Sequence, residues 1–407
     1  MTGVDQDEGA SIMSELTSAF DTYDRSKNQD GLENEMAAFR QECPVGRTEH
    51  YGGMWVVSRY EDLVAVAKDT TTYSSRSVTV PSTPAEVPRI VPIELDPPEH
   101  RKYRSLMQSW FSPKAIGLWE GEIRLIARNL LYDIRDGRCD LLTDFARPLP
   151  LYAIVRVLGV PELDMKQLDT WANVIVGVDG TDHELIWQVY GELRTYVLET
   201  VVRSRRAQPT DDLVSHLLAS SVDGVPLTDD LVADMAFFLV LAGFETTVKA
   251  LGQMLVHLIA HPSLLERIRR DGVSSQIVEE LLRRFAGVAA ARDVVVDCEL
   301  GGRQLRAGER VQLLYPSGNL DESVYDDPLS LRFDRPRNSH IAFGYGIHRC
   351  LGMELARLEV RIALEELFRE FASIRPVEGN PAIFNMATVW GTTSLPALVS
   401  RAEAVDR

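Results

Sequence analysis

The chain has 407 residues, 45% hydrophobic and 25% charged, with a formal net charge of −17. That balance is ordinary for a globular protein with a sizeable core, and the negative charge argues against nucleic acid or an anionic membrane as a main partner. Four cysteines, Cys43, Cys139, Cys298 and Cys350, stand far apart without a disulfide-like pattern, which fits a reducing cytosol.

In chain order, residues 1–40 are polar and acidic and read as a loose arm leading into a short helix. The first twenty residues carry Asp5, Asp7, Glu8 and Glu15 and lack the basic start and apolar centre of a secretory signal. No Ser/Gly linker, repeat or low-complexity tract follows, so residues 41–407 read as one domain. Residues 55–58 predict a strand and 60–69 a helix. Six prolines between 78 and 98 exclude regular helix or a central strand there, so a long loop is expected, of the kind that is functional or disordered. Helical periodicity governs from 100 to about 285, most clearly over 118–136, 148–158, 183–205, 229–257 and 274–285. The longest apolar run, 235–243, is about half the length that spans a bilayer. β-Branched residues and a Gly301-Gly302 turn predict a small sheet over 293–311. A last helix is expected from beyond Cys350 to about 371, then a strand pair over 389–399. The fold class is mainly α with small β-sheets, and the expected protein is a cytoplasmic monomer.

Residues 343–352 read Phe-Gly-Tyr-Gly-Ile-His-Arg-Cys-Leu-Gly. A cysteine on a glycine-rich loop, just before a helical run that begins near Met353, lies where backbone N–H groups and the helix dipole favour an anionic sulfur. Gly344, Gly346 and Gly352 allow backbone conformations closed to other residues and let the loop lie flat against a planar group. Phe343 would cover the sulfur's far side, and His348 and Arg349 would meet acidic groups. Zinc or iron–sulfur sites need three or four clustered ligands, and no second cysteine or metal-spaced histidine lies nearby. A lone thiolate therefore suggests haem, whose two propionates are the acidic groups. The plain alternative is a loop cysteine that binds nothing.

These ten residues match, position for position, the haem-binding signature Phe-Gly-x-Gly-x-His-x-Cys-x-Gly of the cytochrome P-450 superfamily, and the chain resembles that family from about 55 to 396. The resemblance implies a single triangular-prism fold enclosing haem b, with Cys350 as the axial iron ligand and Phe343, Gly344, His348 and Gly352 around it. It also implies a haem-thiolate monooxygenase, in which the thiolate's electron donation favours O–O cleavage.

Further constellations gain meaning beside it. In Ala242-Gly243-Phe244-Glu245-Thr246-Thr247, counting back from Thr246 by helical repeats puts Ala242 and Phe238 on one face with Leu241 beside them. Small residues at 242 and 243 let another body approach the helix, and Thr246 can bond back to the Ala242 carbonyl and loosen the ladder into a groove. Alone, this reads as a core helix with one solvated acid. It resembles the family's oxygen-activation signature, which implies that Glu245 and Thr246 deliver protons, with Ala242 beside the haem. Glu280 and Arg283, one turn apart, can ion-pair. The resemblance implies that Arg337 joins them in a buried structural triad that positions the haem loop. His100 and Arg104, four apart on one helix face, could reach one edge of the ring, and Arg292 and His348 match other positions the family uses for propionates. Arg101 and Lys102 read plainly as a solvated basic face. With Lys114, Arg349 and Arg357 they could instead dock an acidic ferredoxin.

Within the family, residues 279–285 and 317–322 look most like the camphor-hydroxylase group of bacterial terpenoid hydroxylases. The implied partners are ferredoxin and ferredoxin reductase, and the implied substrate is an apolar small molecule. Pro88 stands where that group's tyrosine holds a ketone, and Ala289, Ala290 and Ala291 stand where bulkier or acidic residues are usual, so camphor itself is not expected. The expected pocket wall is Ile90, Ile93, Phe238, Leu241, Ala242, Val288, Ala289, Thr388, Val389 and Trp390, any of which could be plain core. Two other readings stay open: a peroxide-driven haem oxidase of the same fold, and a non-catalytic haem-binding sensor.

Overall fold

In the computed structural model, which describes residues 20–24, 26–82, 89–159, 165–177, 183–386 and 389–401, helices carry most of the chain. The helices that matter for the site are α1 (Gln29–Glu42), α2 (Tyr60–Lys68), α3 (Glu99–Gln108), α4 (Glu120–Asp133), α5 (Pro148–Val157), α6 (Met165–Gly177), α7 (His183–Tyr196), α8 (Asp229–Ala260), α9 (Ser275–Phe285) and α10 (Met353–Glu370). Besides two short hairpins, the strands are β1 (Val45–Thr48), β2 (Met54–Val57), β3 (Tyr73–Ser74), β4 (Gly137–Asp140), β5 (Ala289–Val294), β6 (Arg310–Leu314), β7 (Phe371–Pro376), β8 (Ile383–Asn385), β9 (Gly391–Ser394) and β10 (Pro396–Arg401).

The helices expected from periodicity all form, with ends shifted by a few residues. Asn28 starts α1 by accepting the Gly31 N–H, and Leu32, Met36 and Phe39 line the buried face at helical spacing. They pack with Phe20, Val56, Leu314 and Trp390 in one cluster. Residue 40, where the arm was expected to end, lies inside α1, and Phe20 packs against the same helix. Residues 1–19 lie outside the described residues, as do Pro88 and Thr388.

A five-stranded sheet runs in the order β1-β2-β6-β5-β3, with β6 parallel to β2 and opposite Val311 to Trp55. The Gly301-Gly302 turn joins its expected hairpin, both glycines taking positive φ. The two strands over 389–399 form but do not pair with each other. One residue, Leu395, separates β9 from β10, and a chain needs about two residues to reverse into a hairpin. So β9 pairs with β8, while β10 lies between β7 and β4 in a second sheet. The strand β4 was not legible, being four residues with no alternation of burial.

The central helix α8 begins at Thr228, whose side chain accepts the Leu231 N–H, with Asp229 and Asp230 in the first turn. It is long and apolar enough by composition to cross a membrane, but Val232, Ala236, Val240, Phe244 and Val248 are buried in the main core. A helix apolar on nearly all sides belongs in such a core. A Cβ on Gly243 would meet Ile154 of α5 at 2.8 Å, so this glycine serves helix–helix packing and not the approach of a cofactor.

Glu280 on α9 is fully buried and takes two bonds of 2.8 Å from Arg283. The second guanidinium, and third member of the triad, belongs to Arg335, at 2.8 Å, and not to Arg337, which is exposed. The Arg332 N–H at 2.9 Å and Asn338 at 3.1 Å complete the shell. A carboxylate offers about four lone-pair sites, so these donors leave no acceptor for Arg337. Arg335 is fixed in turn by the carbonyls of Asp326 and Asp327. Burial alone would push the Glu280 carboxyl up, but Arg283 and its other donors hold it below the usual carboxylate range.

Glu280→Ala strands buried guanidinium charge and should cost about 3 kcal/mol or more in urea denaturation. Arg335→Ala should destabilise in the same direction, whereas Arg337→Ala should stay within about 0.5 kcal/mol of wild type. Equal costs for the two arginine variants would contradict this assignment.

Candidate active site

The Cys350 loop closes on itself before α10 begins. The Cys350 N–H donates to the Phe343 carbonyl at 2.8 Å, Gly344 to Ile341 at 2.9 Å, and Arg349 to Gly346 at 3.2 Å. Gly344 and Gly346 take φ of 67° and 72°, as expected for residues without a Cβ. A Cβ on Gly346 would lie 2.2 Å from the Ala67 carbonyl oxygen at the end of α2, so only glycine fits there. Gly352 differs from the expectation: its φ is −82°, and its place is as N-cap of α10, where an added Cβ would lie 4.0 Å from the sulfur. Phe343 is half-buried, with the Arg357 guanidinium 4.9 Å from its ring centre.

The Cys350 side chain is open to solvent-sized space and yet ringed by protein deeply enough that desolvation pushes its thiol up. Both facts hold if the sulfur faces an interior cavity. The Gly352 N–H and the charges of Arg104, Arg357 and Arg349 pull the other way, toward thiolate. Among the described residues, no three His, Cys, Asp or Glu side chains converge as a metal-binding group.

Above a buried floor, α8 keeps one accessible stripe. Asp234, Phe237, Phe238, Leu241, Glu245 and Thr246 are half-exposed, and Ala242 is exposed, at spacings of three and four. An exposed alanine in the middle of a core helix marks open interior space. Thr246 donates to the Ala242 carbonyl at 3.1 Å, the expected back-bond, and Thr247 reaches Gly243 at 3.5 Å. Burial pushes the Glu245 carboxyl up, and Lys249 opposes it. Tyr190 of α7 stands edge-on to Phe237 with ring centres 5.9 Å apart.

Four basic side chains meet as the sequence implied. His100 and His348 lie with ring centres 4.2 Å apart, Arg292 is 5% exposed, and Arg104 reaches the Arg349 carbonyl. Burial pushes His348 down to about 2, with Arg292, His100 and Arg104 adding to the effect. His100 falls to about 4 through burial and Arg104, against a small opposing pull from Asp96. His100 Nε2 and both His348 nitrogens are buried without a hydrogen-bond partner among the described residues. Histidine nitrogens left without partners beside the two guanidiniums of Arg104 and Arg292 call for anionic oxygens. The two propionates of a haem supply these, and the cavity beside a lone sulfur supplies the place for its ring. The residues present fit the group.

Of the expected pocket wall, Ile90, Ile93 and Val288 are half-exposed like Phe238 and Leu241, and Val389, 8% exposed, bridges to Val288. Ala289 and Trp390 do not belong to it. They pack at 3% and 2% exposure into the cluster around Phe20 and Phe39, where β5 and the 390 segment turn their side chains toward α1. Lys249 and Arg335 were missed by sequence reasoning. The signal for Lys249 was present, as a lysine inside an apolar helix one turn after the acid.

The family model for cytochrome P450 matches residues 151–399. Erythromycin C-12 hydroxylase of Saccharopolyspora erythraea is 35% identical over 89% of this chain and 93% of its own length. The chain belongs to the cytochrome P450 family. The polyketide biosynthesis cytochrome P450 PksS of Bacillus subtilis is 31% identical, covering 90% of this chain and 95% of its own. Cyclomarin C epoxidase of Salinispora arenicola is 34% identical over 84% and 89%. A solved structure of a mutant P450 EryK with erythromycin B superposes at a TM-score of 0.83 and 32% identity, covering 93% of this chain and 98% of that one. This protein is thus a cytochrome P450 monooxygenase with haem b as its cofactor.

Arg292→Leu removes a buried guanidinium beside His348 and tests whether that charge holds a propionate. It should speed haem transfer to apomyoglobin by about tenfold or more, the equivalent of one charge-assisted hydrogen bond. Arg101→Leu, an exposed neighbour on α3, should leave that rate unchanged.

Proposed function

We propose that this cytochrome P450 hydroxylates an apolar natural product with O2, taking its electrons from a ferredoxin served by a ferredoxin reductase in the cytoplasm. The observation that carries the proposal is the accessible stripe of α8, apolar at Phe237, Phe238, Leu241 and Ala242 and ending in Glu245 and Thr246. Bound against Cys350, the haem supplies the oxidising chemistry, helped by the thiolate's electron donation.

The chain's own residues do the rest. Cys350 holds the iron, and His100, Arg104, Arg292 and His348 hold the propionates. Phe238, Leu241, Val288, Ile90 and Ile93 offer a wall that selects shape and apolarity. Thr246 and Glu245 pass protons along the groove that the Thr246 back-bond opens. Such an acid–alcohol pair has work to do when O2 is the oxidant and little when peroxide is, which favours the reductase-driven reading. Relatives whose names refer to erythromycin, cyclomarin C and polyketide biosynthesis support a natural-product substrate.

Electron supply fits the Cys350 side of the molecule. Arg101, Lys114 and Arg349 are exposed there, while Lys102 pairs with Asp223 and Arg357 with Glu279 and Glu354. On a chain of net charge −17, a local basic patch steers an acidic partner to one place.

The substrate class can be read from terpenoids, steroids and macrolide precursors screened for a shift of the haem spectrum. With a hit in hand, turnover with ferredoxin and reductase should exceed turnover with hydrogen peroxide; the reverse would favour the peroxide reading. Thr246→Ala should keep substrate affinity while diverting reducing equivalents to hydrogen peroxide. Unchanged product per reductant would remove Thr246 from proton delivery.

A further inference from the structure

Helix α7 runs antiparallel across α8 in a register that two contacts fix. Arg194 donates to Asp234 at 2.5 Å and to Asp230 at 3.2 Å, and one turn back on α7 the Tyr190 ring stands edge-on to Phe237, one turn further along α8. Asp234 and Phe237 both belong to the accessible stripe, so Tyr190 and Arg194 form the edge of α7 that borders it. The outer edge carries the exposed Gln188, Gly191, Glu192 and Thr195, while Val189 and Leu193 are buried in the main core. Helical side chains lean toward the N-terminus of their own helix. In an antiparallel pair, that direction carries the Tyr190 side chain along the stripe toward Leu241 and Glu245.

Tyr190 keeps some accessible surface, yet desolvation by the protein around it pushes its phenol above the usual range, with the Glu245 charge adding to the effect. As at Cys350, both hold when the group faces an interior cavity. Glu245 acts on the phenol through its charge and not through a hydrogen bond, and no group among the described residues hydrogen-bonds the hydroxyl. Tyrosine hydroxyls enclosed by protein usually find a partner. The side chains that share this part of the stripe, Phe237, Phe238, Leu241 and Ala242, carry no polar atom, so what lies against them meets one neutral O–H donor on an apolar wall.

We propose that Tyr190 is a specificity-determining residue whose hydroxyl donates a hydrogen bond to an acceptor oxygen of the substrate, a ketone, ester or lactone carbonyl, so that the enzyme takes oxygenated apolar molecules in preference to hydrocarbons. The inference rests on the reading of the α8 stripe as the substrate wall given above. A hydrocarbon of the same shape fills the wall equally well but leaves the donor unpaired, and that difference is what discriminates.

The test uses the haem-loaded enzyme and pairs of arylimidazoles, which bind iron through the azole nitrogen and so require no known substrate. The two members of a pair differ only in a ketone on the arm, and the set covers several arm lengths. Affinities are read from the shift of the haem spectrum. In wild type at least one ketone member should bind about two- to tenfold more tightly than its hydrocarbon partner, as for one neutral hydrogen bond. Tyr190→Phe, which keeps the ring and its packing, should bring the two to equal affinity. A merely structural role would weaken both members and leave their ratio unmoved. No ketone preference in wild type at any arm length, or a preference that survives in Tyr190→Phe, overturns the inference. Leu241→Trp and Phe238→Trp, which fill the stripe, should weaken both members of every pair. Unchanged affinities in whichever of these folds would remove the stripe from the pocket, overturning the substrate-wall reading and this inference with it.

Discussion

The buried carboxylate of Glu280 accepts from Arg283, Arg335, Asn338 and the Arg332 backbone, and through them it fixes where the segment leading to Cys350 lies. Removing such a carboxylate from water costs several kcal/mol, and attraction offsets that cost only when every lone pair is filled, as it is here. Arg283 spends its remaining donors on the carbonyls of Asn319 and Pro328, and Asn319 in turn accepts the Ile341 N–H at 2.7 Å. From Ile341 the chain enters the thiolate loop. A network with one satisfied arrangement therefore sets the register of the loop before any cofactor contact is made.

On the other side of the cavity the requirement is the opposite. At His100 and His348 the protein leaves ring nitrogens without a hydrogen-bond partner among the described residues, beside the guanidiniums of Arg104 and Arg292, and along α8 it leaves apolar surface uncovered. Both would be faults in a closed core. Together they describe one missing body that is flat, apolar over most of its area and doubly anionic at one edge. The thiolate loop and the central helix are each incomplete in the complementary way.

What the sequence made legible follows from how local each signal is. The Cys350 loop is a contiguous run with fixed glycines, and the backbone freedom expected at Gly344 and Gly346 is used, whereas Gly352 has an ordinary backbone and lies beside the sulfur. Arg335 and Arg337 differ only in which guanidinium reaches Glu280, and that depends on the turn of the 326–340 segment, which no spacing encodes. Gly243 looked like space for a cofactor because the helix pattern cannot say which neighbour needs the room; Ile154 does. Trp390 and Ala289 were read as pocket for the same reason, since an apolar residue near a site and one in the adjoining core look alike until packing is known. Phe20 and α1 fell outside the expected domain because their surroundings are acidic and polar, although their few apolar residues are spaced to be buried.

Gly346 sits under the last turn of α2 with no room for even one more carbon against Ala67. The loop that carries Cys350 is thus shaped by a segment nearly three hundred positions earlier, and His100 and Arg104 come from that same early half. The ligand cannot be preassembled by the C-terminal half alone: a fragment starting after α3 would carry the signature intact yet lack the surface against which it is moulded. The folded loop therefore draws on both ends of the chain, and a change in α2 is felt at Cys350.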